Sequence, residues 1–204
     1  MASAGPTLTS VQLLRNRGAD AEPVLLGSAH DVSSFGYFER KAVREMLAFV
    51  GRTVAKRTPE GQRQSVAHEA YICHAYNRGG LVGLCFVGKD YPSRAAFSVV
   101  NRALDDYCQA HGEGWRAATQ DGAQGDEAAQ AVLTKFQDPH EADKLLKIQR
   151  ELDETKVILH KTIDSVLQRG EKLDSLVDKS NDLSTASTLF YKAARKNNQC
   201  CKMM

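Results

Sequence analysis

The chain has 204 residues, 42% of them hydrophobic and 25% charged, with 27 basic and 25 acidic side chains for a formal net charge of +2. That length holds one ordinary domain plus an extension, or two small domains. The near balance of charge argues against nucleic acid as a partner, and no run is apolar for long enough to cross a bilayer.

Met1 to Thr9 is small and polar, without the basic start and apolar run of a secretory signal, so the chain reads as one that faces the cytosol. In that setting the isolated Cys73, Cys85 and Cys108 stay reduced and serve as small core residues. No Cys-x-x-Cys pair exists, and His30, His68 and His74 lack the spacing of metal ligands. No metal or cofactor is expected.

Thr9 to Leu14 and Val24 to Ser28 are short apolar runs around a turn, which predicts a hairpin. A helix fits Phe38 to Arg57, with Val43, Met46, Leu47, Val50 and Val54 as its buried stripe. Three strands follow over Ser65 to Glu69, Tyr71 to Asn77 and Leu81 to Val87, the last two joined by a Gly79-Gly80 turn. A second helix runs from Ser93 to Gln109, a Gly-rich loop from His111 to Gly125, and a short helix from Asp126 to Phe136. The order β-β-α-β-β-β-α-α predicts an α+β domain: a five-stranded antiparallel sheet with helices packed on it. At about 100° per residue, Phe49 lies some 120° from the buried stripe. It is therefore expected to face away from the sheet, as a singleton or as part of a groove for an apolar helix or lipid tail.

Asp138-Pro139 marks a helix start, and beyond it the period changes. Steps of three and four from Leu145 pass through Ile148, Leu152, Thr155, Leu159, Thr162, Val166, Arg169, Leu173, Leu176, Ser180, Leu183, Ser187, Phe190, Ala194 and Asn197. Ten of these sixteen positions are apolar, the signature of a coiled-coil seam. A continuous helix of that span is about 80 Å long and needs partner helices. Arg169, between Val166 and Leu173, would stack like charges in a homo-oligomer, which is strongly penalised. The seam therefore calls for unlike helices that offer polar acceptors at that level.

The chain ends Gln199-Cys200-Cys201-Lys202-Met203-Met204. The terminal Cys-x-x-Met reads as a prenylation box, with Cys201 as the farnesyl site and Cys200 free to take palmitate. Two chains anchor stably where one does not. No acidic residue follows Asp182. Lys192, Arg195, Lys196 and Lys202 then favour an anionic leaflet by about 1 kcal/mol each. The expected division is 1–137 for the domain, 138–199 for the coiled-coil segment and 200–204 for the lipidation box.

The run DKLLKIQRELDETKVILHKTIDSVLQRGEKLDSLVDKS (143–180) resembles the SNARE motif of an R-SNARE, with Arg169 at the central ionic layer. DVSSFGYFER (31–40) and YPSRAAF (91–97) resemble the N-terminal longin domain, a profilin-like fold. Together with the Cys-Cys ending, nearly the whole chain is similar to the lipid-anchored longin R-SNAREs. The resemblance implies a four-helix complex with three glutamine-donating SNARE helices, and disassembly by a SNAP adaptor and an NSF-type ATPase. It implies membrane fusion between ER and Golgi and at endosomal, vacuolar or plasma membranes. It also implies a closed state in which the longin domain holds the SNARE segment and shields the lipid, with Phe49 as the groove aromatic. Lys202 departs from the usually aliphatic position of the box, and the N-terminus is several residues longer than the family's.

Two rivals belong to other classes. A small prenylated GTPase needs a phosphate loop, and the only Gly-Lys, Gly88-Lys89, is followed by Asp90 rather than Ser or Thr. A longin adaptor that regulates tethering without joining the bundle would keep the coiled coil but not require Arg169.

Overall fold

The computed structural model describes residues 8–18, 20–68, 70–146 and 157–200, and for 143–146 and 197–200 the backbone alone. Strands β1 (Leu8–Arg15) and β2 (Val24–His30) lead to helix α1 (Arg40–Lys56). Strands β3 (Arg63–His68), β4 (Tyr71–Arg78) and β5 (Leu81–Gly88) follow, then helices α2 (Ser93–His111), α3 (Asp126–Lys135) and α4 (Pro139–Leu146). The element order up to α3 is the one the periodicities predict. β1, β2, β5, β4 and β3 are joined by antiparallel pairing in the order β2-β1-β5-β4-β3. Gly79 and Gly80 take φ of 63° and 95° in the β4–β5 turn, a conformation that only glycine enters without steric cost.

Each face of the sheet carries its own core. On one side α2 and α3 bury Val100, Leu104, Tyr107 and Leu133 against Leu13 and Cys85. On the other, Val43, Met46, Leu47, Val50 and Val54 of α1 meet Val66, Cys73, Leu84 and Phe86. Burial of a Val or Leu side chain contributes about 1.5–3 kcal/mol, so the α1 stripe holds the helix on the sheet. Cys73 and Cys85 are fully buried within these cores. The Nδ1 atoms of half-buried His30 and buried His74 lie 2.9 Å from Ser10 Oγ and 2.7 Å from Ser65 Oγ, while His74 Nε2 is buried without a hydrogen-bond partner.

The Gly-rich stretch between α2 and α3 carries a 3-10 turn at Gly114–Ala117 and then seals the outer margin of β2. Gly122 N–H donates to Leu25 O and Gly125 N–H to Leu26 O, each at 2.9 Å. Asp121 Oδ1 accepts from Leu25 N–H at 2.9 Å and Asp126 Oδ1 from Ser28 N–H at 2.7 Å. Arg52 of α1 pairs with Asp121, which ties the stretch to the opposite layer. A bare strand edge invites pairing with another chain; this one is covered.

Three expectations need correction. Helix α1 starts at Arg40 rather than Phe38, because Gly36 and Glu39 close a turn (Glu39 N–H to Gly36 O, 2.9 Å) that leaves Phe38 93% exposed. The sheet has six strands, not five: β6 (Val157–His160) pairs with β3 in parallel, from Arg63↔Val157 to Val66↔His160. Most consequentially, the C-terminal half is not one rod. Beyond β6 come a 3-10 turn (Ile163–Ser165), α5 (Leu173–Lys179) and α6 (Thr185–Cys200). A helix whose apolar stripe has no partner helices gains little from staying continuous, and here the segment buries its apolar side chains on its own domain instead.

Candidate functional site

The candidate site is the seam between α1 and the returning segment 157–200. Short local devices build each bend of that segment. Ser165 Oγ donates to Thr162 O at 2.6 Å, and Asp164 Oδ1 accepts from Leu173 N–H, the first amide of α5, at 2.9 Å. In α5, Leu173 and Val177 stand four residues apart on the buried face. Before α6, Ser184 Oγ accepts from Ser187 N–H at 3.2 Å, a capping bond that satisfies one of the helix's free amides. The two helices are then strapped together. Tyr191 Oη donates to Asp174 Oδ1 at 2.8 Å, Lys192 pairs with Asp178 at 2.8 Å, and Arg195 pairs with Asp174.

Apolar contact carries the docking. Ile163, Leu167, Leu173, Val177, Leu183 and Tyr191 are buried in the same cluster as the α1 stripe, with Val166, Leu176 and Phe190 half-buried beside them. Phe49 packs half-buried against that cluster. It lines a cleft of about 370 Å³ together with Arg52, Leu167, Glu171 and Leu176. In that cleft Phe49 stands beside Leu167 and Leu176 of the returning segment.

Two polar clasps connect the layers. Glu45 Oε2, in the middle of α1, accepts from Ser187 Oγ at 2.6 Å and from Ser184 N–H at 3.1 Å, so a carboxylate of one layer closes the N-terminus of a helix in the other. Burial pushes the Glu45 pKa up, but the hydrogen bonds from Ser187 and Ser184 outweigh it and hold the carboxyl below its ordinary value. Near the end of α1, Arg57 donates to Glu171 Oε2 at 2.9 Å. That same oxygen accepts from Gln168 N–H at 3.0 Å, and Glu171 N–H donates to Gln168 O at 2.9 Å. Residues 168–171 thereby form a β-turn with Gly170 at φ 92°.

The predicted seam is only partly the buried face. Leu173, Leu183 and Ser187 of the heptad count are buried, and Ala194 is half-buried. Ile163, Leu167, Val177 and Tyr191, each one residue past a seam position, share that face. Leu159 stands 75% exposed on β6. Arg169 is exposed at the turn of residues 168–171. Leu145 lies in α4 and Cys200 ends α6, where only the backbone is described; Ile148, Leu152 and Cys201 lie outside the described residues. The heptad count did not single out Glu45, Arg57 or Glu171. The faint signals for them are a carboxylate at the border of the apolar stripe and a Ser-x-x-Ser before a helix.

Among the described residues no helix is long and apolar enough to cross a membrane. A family model for the regulated-SNARE-like longin domain matches residues 32–137, and one for synaptobrevin matches 144–204. The chain is 58% identical to VAMP-like protein YKT61 of Arabidopsis thaliana, over 97% of this chain and 99% of that protein. It is 50% identical to synaptobrevin homolog YKT6 of Eremothecium gossypii, over 96% and 98%. With synaptobrevin homolog YKT6 of Saccharomyces cerevisiae it shares 46%, over 92% and 96%.

Proposed function

The chain belongs to the longin-containing synaptobrevin homologues of the YKT6 group, and from that membership we propose a fusion SNARE that exists in two exclusive states. As a member it is a SNARE of vesicle trafficking, not an enzyme, and it uses no cofactor. The finer reading is that residues 138–199 form one helix of a four-helix complex with three glutamine-donating partners. Leu145, Ile148, Leu152, Leu159, Val166, Leu173, Leu176, Leu183, Phe190 and Ala194 supply its layers, and Arg169 its ionic layer. Residues 1–137 form the longin domain that restrains it. Cys201 carries a prenyl group and Cys200 a palmitoyl group within 200–204, holding the chain on the cytosolic face of Golgi, endosomal or vacuolar membranes. A SNAP adaptor and an NSF-type ATPase take the complex apart.

One observation supports this reading above others: Leu173 and Leu183, seam residues of the proposed complex, are buried against α1 in the isolated chain. A leucine cannot line two cores at once. Folding back and bundle assembly then compete for the same apolar surface, which is autoinhibition by mutual exclusion. Val157 to His160 must also exchange strand pairing on β3 for helix.

The test is to mix the purified chain with candidate sets of glutamine-type SNARE helices and to follow formation of a 1:3 complex. A stable complex in which Arg169→Ala weakens assembly supports the fusion reading. Failure with every cognate set leaves a longin adaptor that never enters the bundle.

A further inference from the structure

We propose that Gly170 is the conformational hinge that sets the balance between the folded-back and the helical forms of the C-terminal segment; this deepens the two-state reading and rests on it. Three observations meet at this residue. Gly170 has φ 92°, in the left-handed region that L-residues enter only at a steric cost. A Cβ built on it meets no atom within 4 Å, so a side chain there would collide with nothing and only the backbone would object. The turn it forms lies between the buried anchors Leu167 and Leu173. Through Glu171 that turn receives the guanidinium of Arg57, the residue that caps the C-terminus of α1.

The same residue has the opposite effect in a helix. Glycine is among the poorest residues for a helix interior, because its backbone gives up the most freedom on ordering. In one state, then, Gly170 is the residue the turn requires, and in the other it weakens the rod beside the proposed ionic layer. Both contributions favour the folded-back form. When Gly170 leaves the left-handed region and Lys172 its extended conformation (φ −132°, ψ 146°), the stretch from 168 to 173 can join a helix, and the same change takes Arg169 out of the turn.

Replacing Gly170 by L-alanine acts on both sides at once: it disfavours the turn and favours the helix. The combined effect is a shift of roughly 30- to 150-fold toward the open form. D-alanine, introduced at the same position by ligation of a synthetic C-terminal fragment into the full chain, prefers positive φ and opposes a right-handed helix. It should shift the balance the other way. Amide hydrogen exchange reads both. The Gly170→Ala chain should lose protection in β3, β6 and α6 by that factor, while β1, β5 and α2 keep theirs; the D-alanine chain should be protected at least as well as the parent.

The hinge is overturned if the two stereoisomers loosen the segment equally. It is also overturned if Gly170→Ala leaves protection unchanged while Phe49→Glu abolishes it, a result that keeps the two-state reading intact. Should neither substitution alter protection, the two-state reading itself fails.

Discussion

Glu45 and Ser187, 142 residues apart in sequence, are joined by a hydrogen bond of 2.6 Å. Ser187 is fully buried, and the acceptor is a carboxylate, so the bond is charge-assisted and stronger than one between neutral groups. Glu45→Gln keeps the shape and removes the charge, while Glu45→Ala removes the acceptor for both Ser184 and Ser187. We expect Glu45→Ala to weaken α6 docking by about 1–2 kcal/mol and Glu45→Gln by less. Exchange rates of the α6 amides measure this; equal protection in parent and Glu45→Ala would show that the clasp holds nothing.

Acid should act on the same clasp. The Glu45 carboxyl is held below its ordinary value of 4.5 by the Ser187 and Ser184 bonds, which prevail over burial. Its contribution is therefore fully present above that value and is lost as pH falls through the lowered one. Dissociation of α6 on acidification through that lowered value should be blunted in Glu45→Gln. Identical acid profiles would assign the loss to other carboxylates.

Arg57 and Glu171 form the second clasp, and both side chains are partly exposed. Pairs of this kind contribute about 0.2–1 kcal/mol. Single charge reversals should loosen the turn at 168–171, and the exchange Arg57→Glu with Glu171→Arg should restore part of the loss. A double-mutant cycle with no coupling would mean that the two groups are merely neighbours.

Phe49 offers a larger lever. Phe49→Glu removes the aromatic ring that shares the cleft with Leu167 and Leu176 and puts there a carboxylate, which gives up hydration when the segment closes over it. The segment should open, raising the rate of association with glutamine-type SNARE helices. An unchanged rate would return Phe49 to the status of a surface aromatic.

The longin core has its own acid sensitivity, separate from the clasp. Burial holds the His74 pKa down to about 4 from an ordinary 6.5. His30 is held at about 4 as well, by burial first and by Arg44 second, against an upward pull from Asp126. Between pH 6.5 and about 4 the unfolded chain binds these protons and the folded chain does not, so stability falls as pH falls through that window. Each histidine accounts for on the order of 3 kcal/mol. Urea melts at pH 7 and pH 5 should differ, and less so in His74→Gln; a pH-independent midpoint would refute the assignment.

The longin half was legible because each of its elements packs on its own chain: the α1 stripe from Val43 to Val54 is buried where its spacing places it, and Gly79-Gly80 turns where a turn was expected. The second half was legible as a pattern and not as a conformation. Its repeat describes a helix among partners, whereas the single chain selects a related face. Residues one step past the seam, such as Leu167 and Val177, share the burial with Leu173 and Leu183, because a broken helix need not keep one heptad phase. Glu45 and Arg57 were illegible for another reason: their partners are more than a hundred residues away, and polar residues carry no period that would reveal such a pairing.

The cover over β2 gives the sheet two unequal margins. One side is closed by residues 121–126; along the other, Arg63–His68, the returning segment adds β6. The arrangement also carries a liability. In the proposed bundled state the segment would leave the β3 margin open, and the chain would then be a sheet with one adhesive side. Its tolerance of that state rests on how long the partner helices hold the segment away.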